Sequence, residues 1–308
     1  MPASPSTIAV TGAFSYTGQY IAREFLKKGH QVTTLTRRPD RQHPLQGQIS
    51  ALPLDFSQPA QLVEYLRGSE VLVNTYWVRY NYPGSSFEQA VENTHILVSS
   101  AIQARVRRLV HISVSQPDSQ SDLPYFRGKQ RVEDLIIASG LSYSILRPTI
   151  IFGDEEVLIN NITWLLRRFP VFPIPGDGRY RVQPVFVQDL ARLVTKAARE
   201  NSNEVVDVGG PEVFTFRDLL LFLKRNSGSR TLLVSVSPWV ALFLSKAVST
   251  LLGDIMLTKD ELTALMQERL IAGNPGECNT RFTDWARQNA SNLGKHYVNE
   301  LRRHHGVN

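Results

Sequence analysis

A chain of 308 residues, 42% hydrophobic and 20% charged, carries enough apolar mass for a sizeable core, which excludes a disordered chain. A single cysteine, Cys278, excludes an internal disulfide and a thiolate metal cluster, and the thiol reads as incidental. The net charge of +6 suits an anionic partner, but the basic residues stand in small groups (Arg37-Arg38, Arg105 with Arg107 and Arg108, Arg167-Arg168, Arg302-Arg303), without the basic arm of a nucleic-acid binder.

Residues 1–6 lack the basic and apolar segments of a secretory signal, so a cytoplasmic location is expected. From residue 7 onward, short β-branched runs alternate with longer amphipathic ones, the pattern of parallel strands joined by crossover helices. Strands are expected at 7–13, 31–36, 49–54, 70–75, 108–113 and 142–151, with helices at 16–28, 58–67, 87–104 and 125–139. This is an α/β, doubly wound parallel sheet of the Rossmann type. A helix at 157–169 then leads into a proline- and glycine-rich loop through Pro170, Pro173, Pro175, Gly176 and Gly178. Strands at 185–187 and 205–208 flank a helix at 189–199. The expected domains are 1–153 with a returning segment at 185–210, and a smaller α/β substrate domain from 154–184 and 211–308. The apolar run 231–252, interrupted by Pro238 and Lys246, is too short to span a bilayer and reads as a buried or homodimer-interface helix. A membrane surface or a protein partner is the second reading.

A dinucleotide site needs a strand, a tight turn and a helix N-terminus whose aligned amides face the pyrophosphate. Thr11-Gly12-Ala13-Phe14-Ser15-Tyr16-Thr17-Gly18 offers all three. Gly12 makes the turn and Gly18 lets the helix pack closely. Ser15 takes the middle glycine's place, where its hydroxyl reaches the phosphates, and Phe14, Tyr16 and Thr17 complete the cofactor-contacting turn. Arg37 and Arg38 follow the second strand, where guanidinium groups suit a 2′-phosphate, so NADP is favoured and NAD remains the alternative.

Tyr125 and Lys129 stand four residues apart, on one face of a helix. A phenol ordinarily titrates near about 10, and a neighbouring ammonium favours its phenolate, the arrangement proton transfer at neutral pH requires. Ser113 and Ser115 follow the fifth strand and offer a hydroxyl to a substrate carbonyl. The seven histidines, His304-His305 included, show no metal-ligand spacing, so no metal is expected.

Together these residues resemble the extended and atypical branch of the short-chain dehydrogenase/reductase superfamily, which includes NAD-dependent epimerase/dehydratase-like proteins. The resemblance implies that Ser115 is the active-site serine, with Ser113 second to it, and that Tyr125 and Lys129 are catalytic. It implies an adenine-contacting Asp55-Phe56 and a structural, relay asparagine at Asn93. It also lays Arg147-Pro148-Thr149 along the nicotinamide, so that Asn74, Asn93, Pro148 and Thr149 count among the cofactor-binding positions. Residues 257–261 and 283–285 are similar to an NAD(P)H-binding subgroup near the accessory dehydrogenase-like subunit of respiratory complex I, members of which often bind cofactor without turnover. Two departures stand out: the interval from Ser115 to Tyr125 is short, and Asn74-Thr75-Tyr76-Trp77 replaces an alanine-rich stretch, crowding the place where a sugar enters. The resulting expectation is an NAD(P)-dependent oxidoreductase acting on a small carbonyl or hydroxyl compound. The alternatives are a non-catalytic assembly or redox-sensing protein and a nucleotide-sugar epimerase or dehydratase.

Overall fold

The computed structural model describes residues 6–81, 84–273 and 277–299; Arg302-Arg303 and His304-His305 lie outside the described residues. The elements begin with β1 (Thr7–Thr11), α1 (Tyr16–Lys27), β2 (Gln31–Thr36), β3 (Ser50–Pro53), α2 (Pro59–Leu66) and β4 (Val71–Asn74). They continue through α3 (Phe87–Gln103), β5 (Arg108–Ile112), α4 (Pro124–Ala138), β6 (Ser142–Pro148), β7 (Ile150–Phe152) and α5 (Leu158–Arg168). Next come β8 (Val171–Pro175), β9 (Arg181–Val182), β10 (Pro184–Phe186), α6 (Val187–Ala197) and β11 (Glu204–Val208). The last are β12 (Phe214–Thr215), α7 (Phe216–Asn226), β13 (Leu232–Val236), α8 (Pro238–Leu252), α9 (Lys259–Met266) and α10 (Phe282–Gln288).

The described residues of Met1–Pro148 and Val187–Val208 form one unit; those of Thr149–Phe186 and Gly209–Asn308 form a second. In the first unit seven parallel strands run in the order β11-β6-β5-β4-β1-β2-β3, a Rossmann sheet. Helices α2, α3 and α4 cover one face, where Leu62, Leu97, Val132 and Ile136 meet Ala9, Leu72 and Leu109. Helix α1 packs on α6 and buries Ile21, Ala22 and Phe25. Strands covered on both faces have no solvent side, and for that reason β1, β4 and β5 read as near-continuous apolar runs. Each such buried leucine or isoleucine contributes about 1.5–3 kcal/mol. The strand order reverses between β1 and β4, which opens a crevice at their C-terminal ends.

The second unit is built on three two-stranded pairs, β7 with β10, β8 with β13 and β9 with β12. Its core is aromatic: Phe282 meets Phe152 edge-on at 5.1 Å, and Trp285 joins them.

Three expectations are corrected. The strand expected at 142–151 is two strands, because β6 pairs with β11 while β7 pairs with β10, and the change of partner falls at Thr149, directly after Pro148. The proline-rich stretch expected as a loop contains β8. Gly176 N–H donates to Val236 O at 2.8 Å, so by alternation the nitrogens of Pro173 and Pro175 point away from β13, where no ladder bond is lost. The stretch 231–252, expected as one buried or dimer-interface helix, comprises β13 and α8, and only Ala241 of α8 is buried within the chain.

Candidate functional site

The turn between β1 and α1 is held from beneath. Gly12 N–H donates to Leu35 O at 2.8 Å, Ala13 N–H to Thr34 Oγ1 at 2.9 Å, and Gly12 O accepts from Ser15 N–H at 2.8 Å. Gly12 adopts a φ of +68°, the left-handed region open to glycine. A Cβ on Gly18 would lie 2.1 Å from Gly12 O, so glycine is what allows α1 to seat on the turn. Ser15 is the N-cap of α1, yet its side chain makes no capping bond and the first turn holds no acidic residue, which leaves the positive end of the helix uncompensated. Phe14 is buried and stacks on His43 at 4.8 Å, while Arg41 Nη1 donates to Phe14 O at 3.5 Å. Tyr16 lies edge-on to Tyr20 at 5.7 Å, and Thr17 is half-buried.

At the ends of β2 and β3 a cleft of about 490 Å³ is lined by Thr36, Arg37, Leu54, Asp55, Phe56, Gln89 and Asn93, among others. Asp55 Oδ1 accepts from Ser57 N–H at 2.9 Å and from Ser57 Oγ–H at 2.7 Å, and these bonds hold its carboxyl below the ordinary range. Phe56 lies 4.9 Å from Tyr76, whose hydroxyl accepts from Asn93 Nδ2 at 2.8 Å; Asn93 Oδ1 accepts from Gln89 Nε2 at 3.0 Å. Asn93 thus stiffens the wall of the cleft, and no hydrogen bond joins it to Lys129. Arg37 and Arg38 part company: both are exposed and neither forms an ion pair among the described residues, but Arg37 alone of the two lines the cleft. Arg41, His43 and Gln89 escape sequence reasoning. The first two sit in a polar loop without periodicity, where the only available signal is a third arginine shortly after the pair.

The catalytic candidates cluster at the ends of β4 and β5. Asn74 Oδ1 accepts from Tyr76 N–H at 3.0 Å, which turns its amide nitrogen toward His111 Nδ1 at 3.2 Å and puts the imidazole proton on Nε2. Asn74 is fully buried, and its side chain ties β4 to β5. Burial, reinforced by the Lys129 ammonium, pushes His111 well below the usual histidine value. Lys129 is 2% exposed; its Nζ donates to Ile112 O at 3.0 Å and lies 4.8 Å over the Trp77 ring. Burial pushes its pKa down to about 7, against the opposing pull of Glu133. Tyr125, one turn earlier on α4, is half-buried and edge-on to Trp77 at 5.9 Å and Phe87 at 5.7 Å. Gly128 admits the indole: a Cβ there would meet Trp77 Cη2 at 3.0 Å. Trp77 Nε1 and His111 Nε2 are buried without a hydrogen-bond partner, two orphaned nitrogens that adjoin Lys129.

The two serines differ. Ser113 Oγ donates to Glu133, itself fully buried and paired with Arg147 at 2.5 Å, so that hydroxyl belongs to an internal ion-pair network. Ser115 has no exposed surface, and its N–H donates to the carbonyl of buried Pro148 at 2.9 Å. Thr149 lies in the second unit, where its hydroxyl donates to Gln183 O. The first unit therefore brings Arg37, Asp55-Phe56 and Asn93 together around one cleft, and gathers Tyr125, Lys129, Trp77 and His111 at the strand ends.

Residues 12–163 match the family model described as NAD(P)H-binding. The chain is 25% identical over 223 residues to the Arabidopsis thaliana mitochondrial NADH dehydrogenase [ubiquinone] 1 alpha subcomplex subunit 9, covering 68% of this chain but only 55% of that subunit. It is 28% identical over 225 residues to the photosystem II assembly factor Ycf39 of Cyanophora paradoxa, covering 72% of this chain and 69% of the factor. An Escherichia coli NADPH-dependent quinone oxidoreductase solved with NADPH shares the fold, with a TM-score of 0.73 and 19% identity over 91% of this chain and 99% of that one. Residues 12–163, which carry the turn and much of the Rossmann sheet, thus match the NAD(P)H-binding family.

Proposed function

We propose that this protein is an NADPH-dependent oxidoreductase that reduces a compact carbonyl compound, with Tyr125 as the proton donor. The observation that carries the cofactor half is Arg37, a guanidinium without an ion pair that lines the cleft beside Asp55 and Phe56. The uncompensated N-terminus of α1 and the close seat of Gly18 on Gly12 fit a pyrophosphate there. When bound, a reduced nicotinamide supplies the hydride. The chain's own part is to move a proton: Tyr125 gives its phenolic proton to the developing alkoxide, and Lys129, which titrates near neutrality, restores it. The orphaned donors on Trp77 and His111 support a polar ligand atom near Lys129.

Two measurements test this. Arg37→Glu is expected to weaken NADPH binding by about 10–100-fold while leaving NADH within about threefold, since it removes a charge-assisted contact to the 2′-phosphate. Equal losses for both cofactors in fluorescence titration would refute the NADP assignment. Tyr125→Phe is expected to lower kcat by about 10²–10⁴ with NADPH affinity unchanged. Full turnover by that variant, on carbonyl compounds the parent reduces, removes the proton-donor role.

A second reading, an assembly or redox-sensing protein that binds cofactor without turnover, has its own support. Lys129 is capped by Ile112 O and covered by Trp77, and Ser115 is sealed from solvent. Cofactor binding in titration, together with no NADPH oxidation across a carbonyl and quinone screen, selects it. The nucleotide-sugar epimerase reading has less support, because Trp77 and Phe87 flank Tyr125.

A further inference from the structure

Helix α8 is capped at both ends by its own chain: Ser237 Oγ accepts from Val240 N–H, and Gly253 closes the C-terminus in a left-handed conformation. Its inward side is Ala241 with the half-buried Ser245, Val248 and Leu252. The other side is apolar and open to solvent. Trp239 is 71% exposed, Phe243 72% and Leu251 82%, with Val240 and Leu244 between them. On the preceding strand β13, Leu232 and Val234 are exposed as well. Scattered exposed apolar side chains are ordinary, but a contiguous face of this kind marks a contact surface.

The charges around this face choose among occupants. Between Asp218 and Asp254 the chain has no carboxylate, yet it carries Lys224, Arg225, Arg230 and Lys246. Three cations are placed against the patch itself: Lys246 lies on α8, Lys259 Nζ sits 5.7 Å over the Trp239 ring, and Arg217 Nη2 donates to Ser235 of β13 at 2.6 Å. The neighbouring acids are engaged. Asp254 accepts from Tyr297 Oη at 2.6 Å, Glu261 closes the capping box of α9, and Asp177 lies 3.9 Å from Arg179, which leaves exposed Asp260. A second copy of the chain would set this predominantly cationic surface against itself. Its 15 residues make α8 about 22 Å long, and no helix among the described residues is long and apolar enough to cross a membrane.

We propose that α8 with β13 is a docking surface for an anionic lipid bilayer, on which the helix lies in the plane of the interface. Trp239, Phe243 and Leu251 enter the acyl boundary, and Lys246, Lys259 and Arg217 meet the headgroups. The inference is independent of the reading of the nucleotide cleft.

Vesicle co-sedimentation of the full chain tests it, with phosphatidylcholine alone and with phosphatidylcholine mixed equally with phosphatidylglycerol. The wild type is expected to bind the anionic vesicles at least about tenfold better than the neutral ones. Trp239→Ser with Phe243→Ser and Leu251→Ser is expected to abolish that binding, and its folding is checked by an unchanged circular dichroism spectrum and a cooperative thermal unfolding transition. Lys246→Glu with Lys259→Glu is expected to weaken it by about fivefold or more for each cation reversed. Three results overturn the proposal: wild-type protein that stays in solution with both vesicles, binding that ignores lipid charge, or a triple variant that still binds. So does a homodimer in light scattering that the triple substitution splits, since a second copy is then the occupant.

Discussion

Thermal denaturation of a Lys129→Met variant is expected to show its largest stability gain over the wild type at pH 6, and almost none of that gain near pH 10. Lys129 is fully buried with a pKa of about 7, against 10.5 for an ordinary lysine. Between those values the unfolded chain holds a proton that the folded chain does not, so the free energy of unfolding rises with pH across that window. Below pH 7 the wild type carries the whole burden of the buried ammonium; above 10.5 both states are neutral and the burden is gone. At about 1.4 kcal/mol per pKa unit, the burden reaches several kcal/mol. Methionine keeps the packing against Trp77 but removes the donor to Ile112 O, a pH-independent loss of about 1 kcal/mol that offsets part of the gain at every pH. Melting temperatures measured between pH 6 and pH 10 decide the matter: a difference that stays constant across the range would mean that the ammonium is not buried in solution.

Gly18→Ala is expected to destabilise the fold by about 1–3 kcal/mol and to weaken NADPH binding by about 100-fold or more. The added Cβ would lie 2.1 Å from Gly12 O and 2.8 Å from Gly12 C, both backbone atoms tied to β2 through the Gly12–Leu35 and Ala13–Thr34 bonds. Nothing there can rotate aside, so α1 moves away from the turn and takes its N-terminal amides with it. Gly128→Ala is the control, because its Cβ meets the Trp77 side chain at 3.0 Å, a contact the indole can relieve. Urea denaturation paired with cofactor titration separates the two, and a Gly18→Ala protein that binds NADPH like the wild type sinks the argument for the turn.

Rossmann topology was legible in the chain because its cause is local: strands buried on both faces must be apolar throughout, and the crossover helices between them must show a stripe. The turn at Gly12–Gly18 was legible for a similar reason, since a left-handed φ favours glycine at the first position and a 2.1 Å approach to backbone requires it at the second. Tertiary packing decided the rest. Arg37 and Arg38 are equivalent as letters, and the cleft wall alone separates them. Lys129 stands one helical turn from Tyr125 in any reading, but its protonation depends on burial, beneath Trp77 from the β4 end and against the Ile112 strand, contacts between residues far apart in the chain. Likewise the apolar run at 231–252 announces surface that shuns water without naming what covers it, and the fold leaves that surface on the outside. Sequence by itself determined which backbone path the nucleotide turn takes, because one residue's steric freedom is a property of that residue. Only the tertiary structure decided which charges are buried and which apolar faces stay open, because burial is a sum over neighbours that no local pattern records.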